Sequence, residues 1–175
     1  MTATAAGGVV FAAAVAIAGH ACTPAQNGGV ENAGPPSAVV SSDSRVIMER
    51  LPCFGTCPVY RVDIDADGTV TFTGERYVDS IGARSHRIEP GEAAALMHAL
   101  VDGGFFDLAD DYTQGAKACG MYHTDAPRVN LTVRVDGRAK TVQHDYGCAG
   151  APPALRSLQE RVDSAAGVSR WVGRE

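Results

Sequence analysis

A stretch of alternating apolar and polar residues on both sides of an Asp-Gly pair constrains the fold of this chain more than any other feature. It runs over residues 128–146, with Asp136 and Gly137 near its centre. Asp-Gly is a preferred pair for a two-residue hairpin turn, and alternation places every second side chain on the same face of a strand. The sequence therefore predicts an antiparallel hairpin with one apolar face and one solvated face.

The two-residue turn also predicts the register of this hairpin, because opposed residue numbers then sum to 273. The predicted pairs are Leu131 with Val142 and Val129 with His144 on one face, and Thr132 with Thr141 and Arg128 with Asp145 on the other. Polar partners meet on the second face, and one of these pairs joins opposite charges, which favours the register.

Shorter alternating segments predict further strands before this hairpin. Residues 58–65 (PVYRVDID) alternate strictly, residues 67–68 are Asp-Gly, and residues 69–73 alternate again. Residues 45–50 resemble a preceding strand, and parts of residues 76–88 resemble a following one. Together with the later hairpin, these segments predict about six short strands.

Two segments carry apolar residues at helical spacing. The first is predicted over residues 90–102, with Pro90 at its first helical position, and the second begins near residues 152–153. Their apolar stripes are Ala93, Leu96, Met97, Leu100 and Val101 in the first helix, and Leu155, Leu158, Val162 and Ala165 in the second. Trp171 is predicted to cover the core. The order of elements predicts a single α+β domain over residues 45–175, an antiparallel sheet of about six short strands with two helices packed on one face.

The first 44 residues differ in composition from this domain. Residues 9–18 (VVFAAAVAIA) form an apolar run that is too short for a bilayer span but typical of an export signal. Gly19 and Ala21 precede Cys22, as small residues precede the lipidated cysteine of bacterial lipoproteins. Residues 1–21 are therefore predicted to be a lipoprotein-type signal peptide with the lipid on Cys22, and a plain cleaved signal is the alternative.

Residues 22–44 are rich in Pro, Gly, Asn, Ser and Ala and contain no aromatic residue. Because such a segment buries little apolar surface, we expect a disordered tether. The chain is thus predicted to be an exported domain of the cell envelope, in the periplasm or on the outer surface, that meets the membrane only through its N-terminal lipid.

The charge of the chain excludes one class of partner. With 15 Lys and Arg against 20 Asp and Glu, the net charge is −5, so no excess of cations can replace the counterions of phosphate. We expect no nucleic-acid binding, and the expected partner is an unknown envelope protein or a small ligand.

Four cysteines lie in the predicted domain, and an even number in an exported chain favours two disulfides. The hairpin register would place Cys148 opposite Asp125, within reach of the loop that carries Cys119. We therefore favour a Cys119–Cys148 disulfide, which leaves Cys53–Cys57 to close a short turn.

Two other uses of these cysteines stay open. In one, Cys53 and Cys57 form a thiol-redox pair, although three residues separate them where thioredoxin-like motifs have two. In the other, Cys119, His123 and Cys148 bind a metal ion such as zinc.

Signals for catalysis and for calcium are weak. Residues 63–68 (DIDADG) match the start of an EF-hand loop, but Gly74 stands where that loop needs a bidentate Glu. The sequence contains no nucleophile elbow, phosphate loop or zinc-protease motif. We therefore expect a non-catalytic domain that needs no cofactor and no metal.

The predicted contact surfaces are the turn between Cys53 and Cys57 and a long polar loop over residues 109–126. Loops of this kind often carry binding residues because the scaffold positions them. The candidate ligand-contacting residues in or beside the loop are Tyr112, Tyr122, His123 and Asp125.

The run at residues 53–60 (CFGTCPVY), followed by the Asp-Gly hairpin, resembles a bacterial family of domains of unknown function, family 6438. Further matches are residues 104–106, 124–127 and 170–173, so the resemblance covers roughly residues 46–173. It implies an exported α+β domain, often behind a signal or lipoprotein leader. It implies no activity and no catalytic residues.

Overall fold

The computed structural model describes residues 1–3 and 39–173 of the 175-residue chain. The chain divides into one unit over residues 1–33 and a second over residues 34–175. Residues 1–3 carry no secondary structure. Most of the predicted signal peptide, Cys22 and most of the predicted tether lie outside the described residues. Within the described residues, no helix is long and apolar enough to cross a bilayer.

Residues 39–173 contain seven strands and three α-helices. The strands are β1 (Arg45–Leu51), β2 (Val59–Asp65), β3 (Thr69–Arg76), β4 (Gly82–Arg87), β5 (Asp111–Tyr112), β6 (Arg128–Val135) and β7 (Arg138–Asp145). The helices are α1 (Pro90–Asp102), α2 (Pro153–Ala166) and α3 (Ser169–Val172), and a short 3-10 helix (Phe105–Asp107) precedes β5. The α+β prediction is confirmed, whereas the predicted six strands and two helices were too few.

The strands form one open sheet in the order β4-β3-β2-β1-β6-β7-β5. Every neighbouring pair is antiparallel except β5 with β7, which are parallel. β1 lies at the centre, between the β2–β3 hairpin and the β6–β7 hairpin. The first strand of the domain therefore joins its two hairpins.

The additional elements are too short for periodicity to reveal. β5 consists of two residues inside the predicted polar loop, where it pairs with Gln143 and His144 of β7. α3 has four residues, about one helical turn. Two residues cannot show alternation, and one turn cannot show an apolar stripe.

The predicted register of the β6–β7 hairpin is confirmed over its whole length, from Arg128 opposite Asp145 to Val135 opposite Arg138. Val129, Leu131 and Val142 are fully buried. The polar face is outside, where the hydroxyl oxygens of Thr132 and Thr141 lie 2.8 Å apart.

Beyond the hairpin the predicted register is wrong. Cys148 pairs with Tyr122 and not with Asp125. A turn follows β7, in which the Cys148 amide donates to the Asp145 carbonyl (2.9 Å), and Asp125 adopts a left-handed conformation with φ of 72°. The residues in these two turns are not paired as they would be in a continuous ladder of hydrogen bonds.

Helix α1 begins and ends where the sequence predicts. Glu89 and Glu92 form a capping box at its start, and Gly104 adopts φ of 77° after its end, a conformation that suits glycine. α1 contacts α2 and β6, and α2 contacts β1. Trp171 of α3 is 8% exposed and stacks on Phe72 at 5.0 Å between ring centroids, as a residue covering the core should.

Candidate ligand-binding site

Two disulfides fix two loops at the same end of the sheet. Cys53 is bonded to Cys57, with their Cα atoms 5.9 Å apart, and Cys119 is bonded to Cys148, with their Cα atoms 4.7 Å apart. The first loop follows the end of β1, and the second bond anchors the loop before β6 to the turn after β7. Because β1, β6 and β7 are paired at this end, the two loops are neighbours.

This pairing removes the basis of the metal hypothesis. Cys119 and Cys148 are bonded to each other, so neither offers a thiolate to an ion, and His123 is exposed. In residues 39–173, no group of three His, Cys, Asp or Glu side chains is arranged to hold a metal.

The two disulfides differ in burial. Cys119 and Cys148 are 1% and 5% exposed, and hydrogen bonds from Gly150 N to Cys119 O (2.7 Å) and from Ala149 N to Met121 O (2.9 Å) hold their surroundings. Cys53 and Cys57 are only partly buried. The Cys53–Cys57 loop carries Phe54 at its tip, with 86% of the residue exposed.

A cavity of about 380 Å³ lies beside the Cys53–Cys57 loop. We call it the Asp145 cavity, and its lining includes Cys53, Phe54, Thr113, Tyr122, Arg128 and Asp145. Arg128 and Asp145 belong to the outward-facing positions of β6 and β7, where the Tyr122 segment covers Asp145. Asp145 is consequently 4% exposed, although it occupies a position on the solvated face.

The Asp145 carboxylate is held by two donors. The Tyr122 hydroxyl donates to Oδ2 (3.1 Å), and the Gly147 amide donates to Oδ1 (2.9 Å). Burial and this hydrogen bond to the carboxylate raise the pKa of Tyr122, which keeps the phenol protonated as a donor. Arg128 lies directly opposite Asp145, but the predicted attraction does not produce an ion pair between these two residues in the described chain.

A second cavity of about 440 Å³ lies on another flank of the same loop. Arg50, Phe54, Cys57, Asp125 and Pro127 contribute to its lining. Phe54 and Cys53 border both cavities. The disulfide loop is therefore a partition between two concave surfaces.

Beneath this loop, a polar network replaces apolar packing at the end of the core. Arg50 forms an ion pair with Asp163 of α2, and Tyr60 donates to the same carboxylate (2.7 Å). Burial opposes the charge on Arg50, but the nearby Asp163 carboxylate prevails and raises the Arg50 pKa. Burial and the same carboxylate raise the pKa of Tyr60. The network thus joins β1, β2 and α2.

The network continues through Tyr146 to Gln159. Arg50 donates to the Tyr146 hydroxyl (3.2 Å), which donates to Gln159 Oε1 (3.0 Å). His144 Nδ1 lies 3.2 Å from the same oxygen, so we assign its proton to Nδ1 because Oε1 can only accept. Burial is the main cause that lowers the pKa of His144, and the Gln159 hydrogen bond opposes it.

The buried His144 should make the stability of the domain depend on pH. An unfolded His144 takes up a proton below pH 6.5 while the folded imidazole, with its lowered pKa, resists protonation. The free energy of unfolding is therefore expected to fall as the pH drops below 6.5. His86, whose pKa burial also lowers, adds to this slope.

Urea unfolding of the wild type, His144→Gln and His123→Gln above and below pH 6.5 measures the effect. His144→Gln should reduce the slope, and the exposed His123 provides the matched control, which should keep it. If the free energy of unfolding of His144→Gln falls with pH as steeply as that of the wild type, His144 is not the cause of the pH dependence.

The structure separates the candidate contact residues of the 109–126 loop. Tyr122 lines the Asp145 cavity and Asp125 lines the second cavity. Tyr112 instead enters the core, at 6% exposure, with its ring 6.4 Å from that of His144. His123 is exposed and contributes its backbone amide to the Gly147 carbonyl (2.9 Å).

Sequence reasoning missed the buried Gln159, which is fully inaccessible to solvent. A signal was present, because Gln159 lies four residues after Leu155 and three before Val162, on the apolar stripe of α2. A polar residue on such a stripe indicates a buried hydrogen-bonding partner.

The family model described as "Domain of unknown function (DUF6438)" matches residues 44–166, which extend from the start of β1 to the end of α2. No curated protein matches the chain. Because the match covers well over half of the sequence, this chain belongs to the DUF6438 family of domains of unknown function.

Proposed function

We propose that this chain is a non-catalytic binding module of the bacterial cell envelope, exported and anchored by a lipid on Cys22. In this proposal residues 22–44 tether the domain of residues 45–175, two helices cover one face of its sheet, and the loop end binds a small ligand or a partner protein. The membrane is contacted through the N-terminal lipid.

The observation that carries the proposal is the placement of the two disulfides. Each one restrains a loop that borders a cavity, and the cavities meet at Phe54. Fixing loops before a ligand arrives reduces the entropy lost on binding. Disulfides persist in oxidising compartments, which agrees with export.

Intact mass of the protein, expressed with its own leader and alkylated under denaturing, non-reducing conditions, tests the proposal. We expect a lipid mass on Cys22 and no alkylation of the other four cysteines. Cys22→Ser should lose the lipid mass and keep both disulfides. A full-length, unlipidated chain in the cytoplasmic fraction would overturn the proposed location.

A second candidate function is thiol-disulfide exchange at Cys53 and Cys57. It is favoured by one observation, the partial exposure of this disulfide between two cavities. Reduction by a dithiol would deliver two electrons and two protons and leave two thiols on the loop. A reduction potential below about −300 mV would identify a structural bond and exclude this role, whereas a value near those of thiol oxidoreductases, about −120 to −270 mV, would support it.

A further inference from the structure

The Asp145 cavity places a carboxylate and a guanidinium next to each other without pairing them. Arg128 and Asp145 are directly opposed across β6 and β7 and both line the cavity. Directly opposed side chains start from Cβ atoms about 5 Å apart, close enough for opposite charges to meet. In the described chain neither of them joins an ion pair.

The separation has a structural cause. Tyr122 and Gly147 hold the two Asp145 oxygens (3.1 and 2.9 Å), so the carboxylate is oriented before any ligand binds. A carboxylate offers about four acceptor positions, and two donors leave capacity for more. Asp145 has no ion-pair partner among the described residues, so its free acceptor positions are open to the N–H groups of a bound ammonium ion.

We propose that the Asp145 cavity binds a small zwitterion, a molecule that carries an ammonium group and a carboxylate a few ångströms apart, as a free amino acid does. Asp145 receives the ammonium group, and Arg128 receives the carboxylate through its fork of N–H donors. The ligand class deepens the binding role proposed above and rests on it.

The size of the cavity and the residues at its rim further restrict which ligands fit. A volume of about 380 Å³ lies at the small end of the range for ligand sites. The exposed ring of Phe54 borders the cavity and offers apolar surface to the side chain of the ligand. An amino acid with an aromatic or aliphatic side chain therefore fits better than a charged one.

Titration of the oxidised, folded protein with phenylalanine, 2-phenylethylamine and 3-phenylpropionate, followed by amide chemical shifts, tests this inference. The three probes share the ring and differ in charge. Phenylalanine should bind with shifts at Tyr122 and Gly147, and each analogue that lacks one charge should bind at least about tenfold more weakly.

Two variants assign the charges. Arg128→Gln should weaken the binding of phenylalanine about tenfold and leave the binding of 2-phenylethylamine unaffected. Asp145→Asn should weaken the binding of phenylalanine and leave the binding of 3-phenylpropionate unaffected. Arg134→Gln is the matched control, because Arg134 lies on the same outward face of β6 and outside this cavity. If Asp145→Asn fails to fold, Arg128→Gln with the three probes still decides the question.

Equal affinity for phenylalanine and either single-charge analogue would overturn the proposal of a zwitterionic ligand and leave the binding role intact. An equal loss of phenylalanine affinity in Arg134→Gln and Arg128→Gln would do the same. Absence of any shift with all three probes would overturn it as well. The proposed envelope role is decided separately, by the lipid and disulfide masses.

Discussion

Replacing Cys119 and Cys148 together by serine is expected to lower the free energy of unfolding by about 3–4 kcal/mol. The bond spans a sequence separation of 29 residues, so its loss returns considerable entropy to the unfolded chain. Urea unfolding under oxidising conditions measures the change from the midpoint and slope.

The double variant Cys53→Ser, Cys57→Ser is the matched comparison. Its disulfide spans a separation of only 4 residues, and the same chain-entropy relation gives a loss of about 2 kcal/mol. Excess dithiothreitol should bring the wild type down to the stability of a variant lacking both bonds. If the Cys119, Cys148 variant unfolds at the wild-type urea concentration, the Cys119–Cys148 bond does not stabilise the domain as proposed.

Replacing Asp163 by alanine is expected to lower the free energy of unfolding by about 3 kcal/mol. The change leaves Arg50, whose side chain is 18% exposed, without its counter-ion, and the Tyr60 hydroxyl without its acceptor. An uncompensated charge in such a place costs more than the ion pair itself contributes. Urea unfolding of the single variant measures this loss.

Two further variants separate the unpaired charge from the loss of packing. The pair Arg50→Met, Asp163→Leu removes both charges and should be more stable than Asp163→Ala alone. Glu49→Gln weakens the ion pair with Arg61, in which the Glu49 and Arg61 side chains are 36% and 40% exposed. This change should lower the free energy of unfolding by less than about 1 kcal/mol. If Asp163→Ala and Glu49→Gln lower the free energy of unfolding equally, burial does not make the Arg50 network more important for stability than an exposed ion pair.

The parts of the fold that local chemistry specifies could be predicted. The Asp136-Gly137 turn determines the β6–β7 register, because a two-residue loop permits one pairing. Pro90 marks the start of α1 and the glycines after Asp102 mark its end. A proline needs no backbone donor in the first helical turn, and a glycine can adopt the left-handed conformation that follows the last turn.

The parts that depend on distant contacts could not. β5 forms because it pairs with Gln143 and His144 of β7. Two residues are too few for a sequence pattern to predict this strand. The burial of Asp145 likewise depends on Tyr122, which is 23 residues away in sequence. Alternation correctly placed Asp145 on the outward face, but it could not reveal that a loop returns to cover it.

The central position of β1 determines the order in which the fold can be completed. One edge of β1 pairs with β2, which follows soon after, but the other edge waits for β6, after residues 52–127 have been made. At about 5–20 residues per second, synthesis of these residues alone takes on the order of ten seconds. During this interval Val46 and Met48, later fully buried, border an unpaired strand edge that can join another chain. Until β6 arrives, the β1–β2 segment therefore keeps one edge at which a second chain can add a strand.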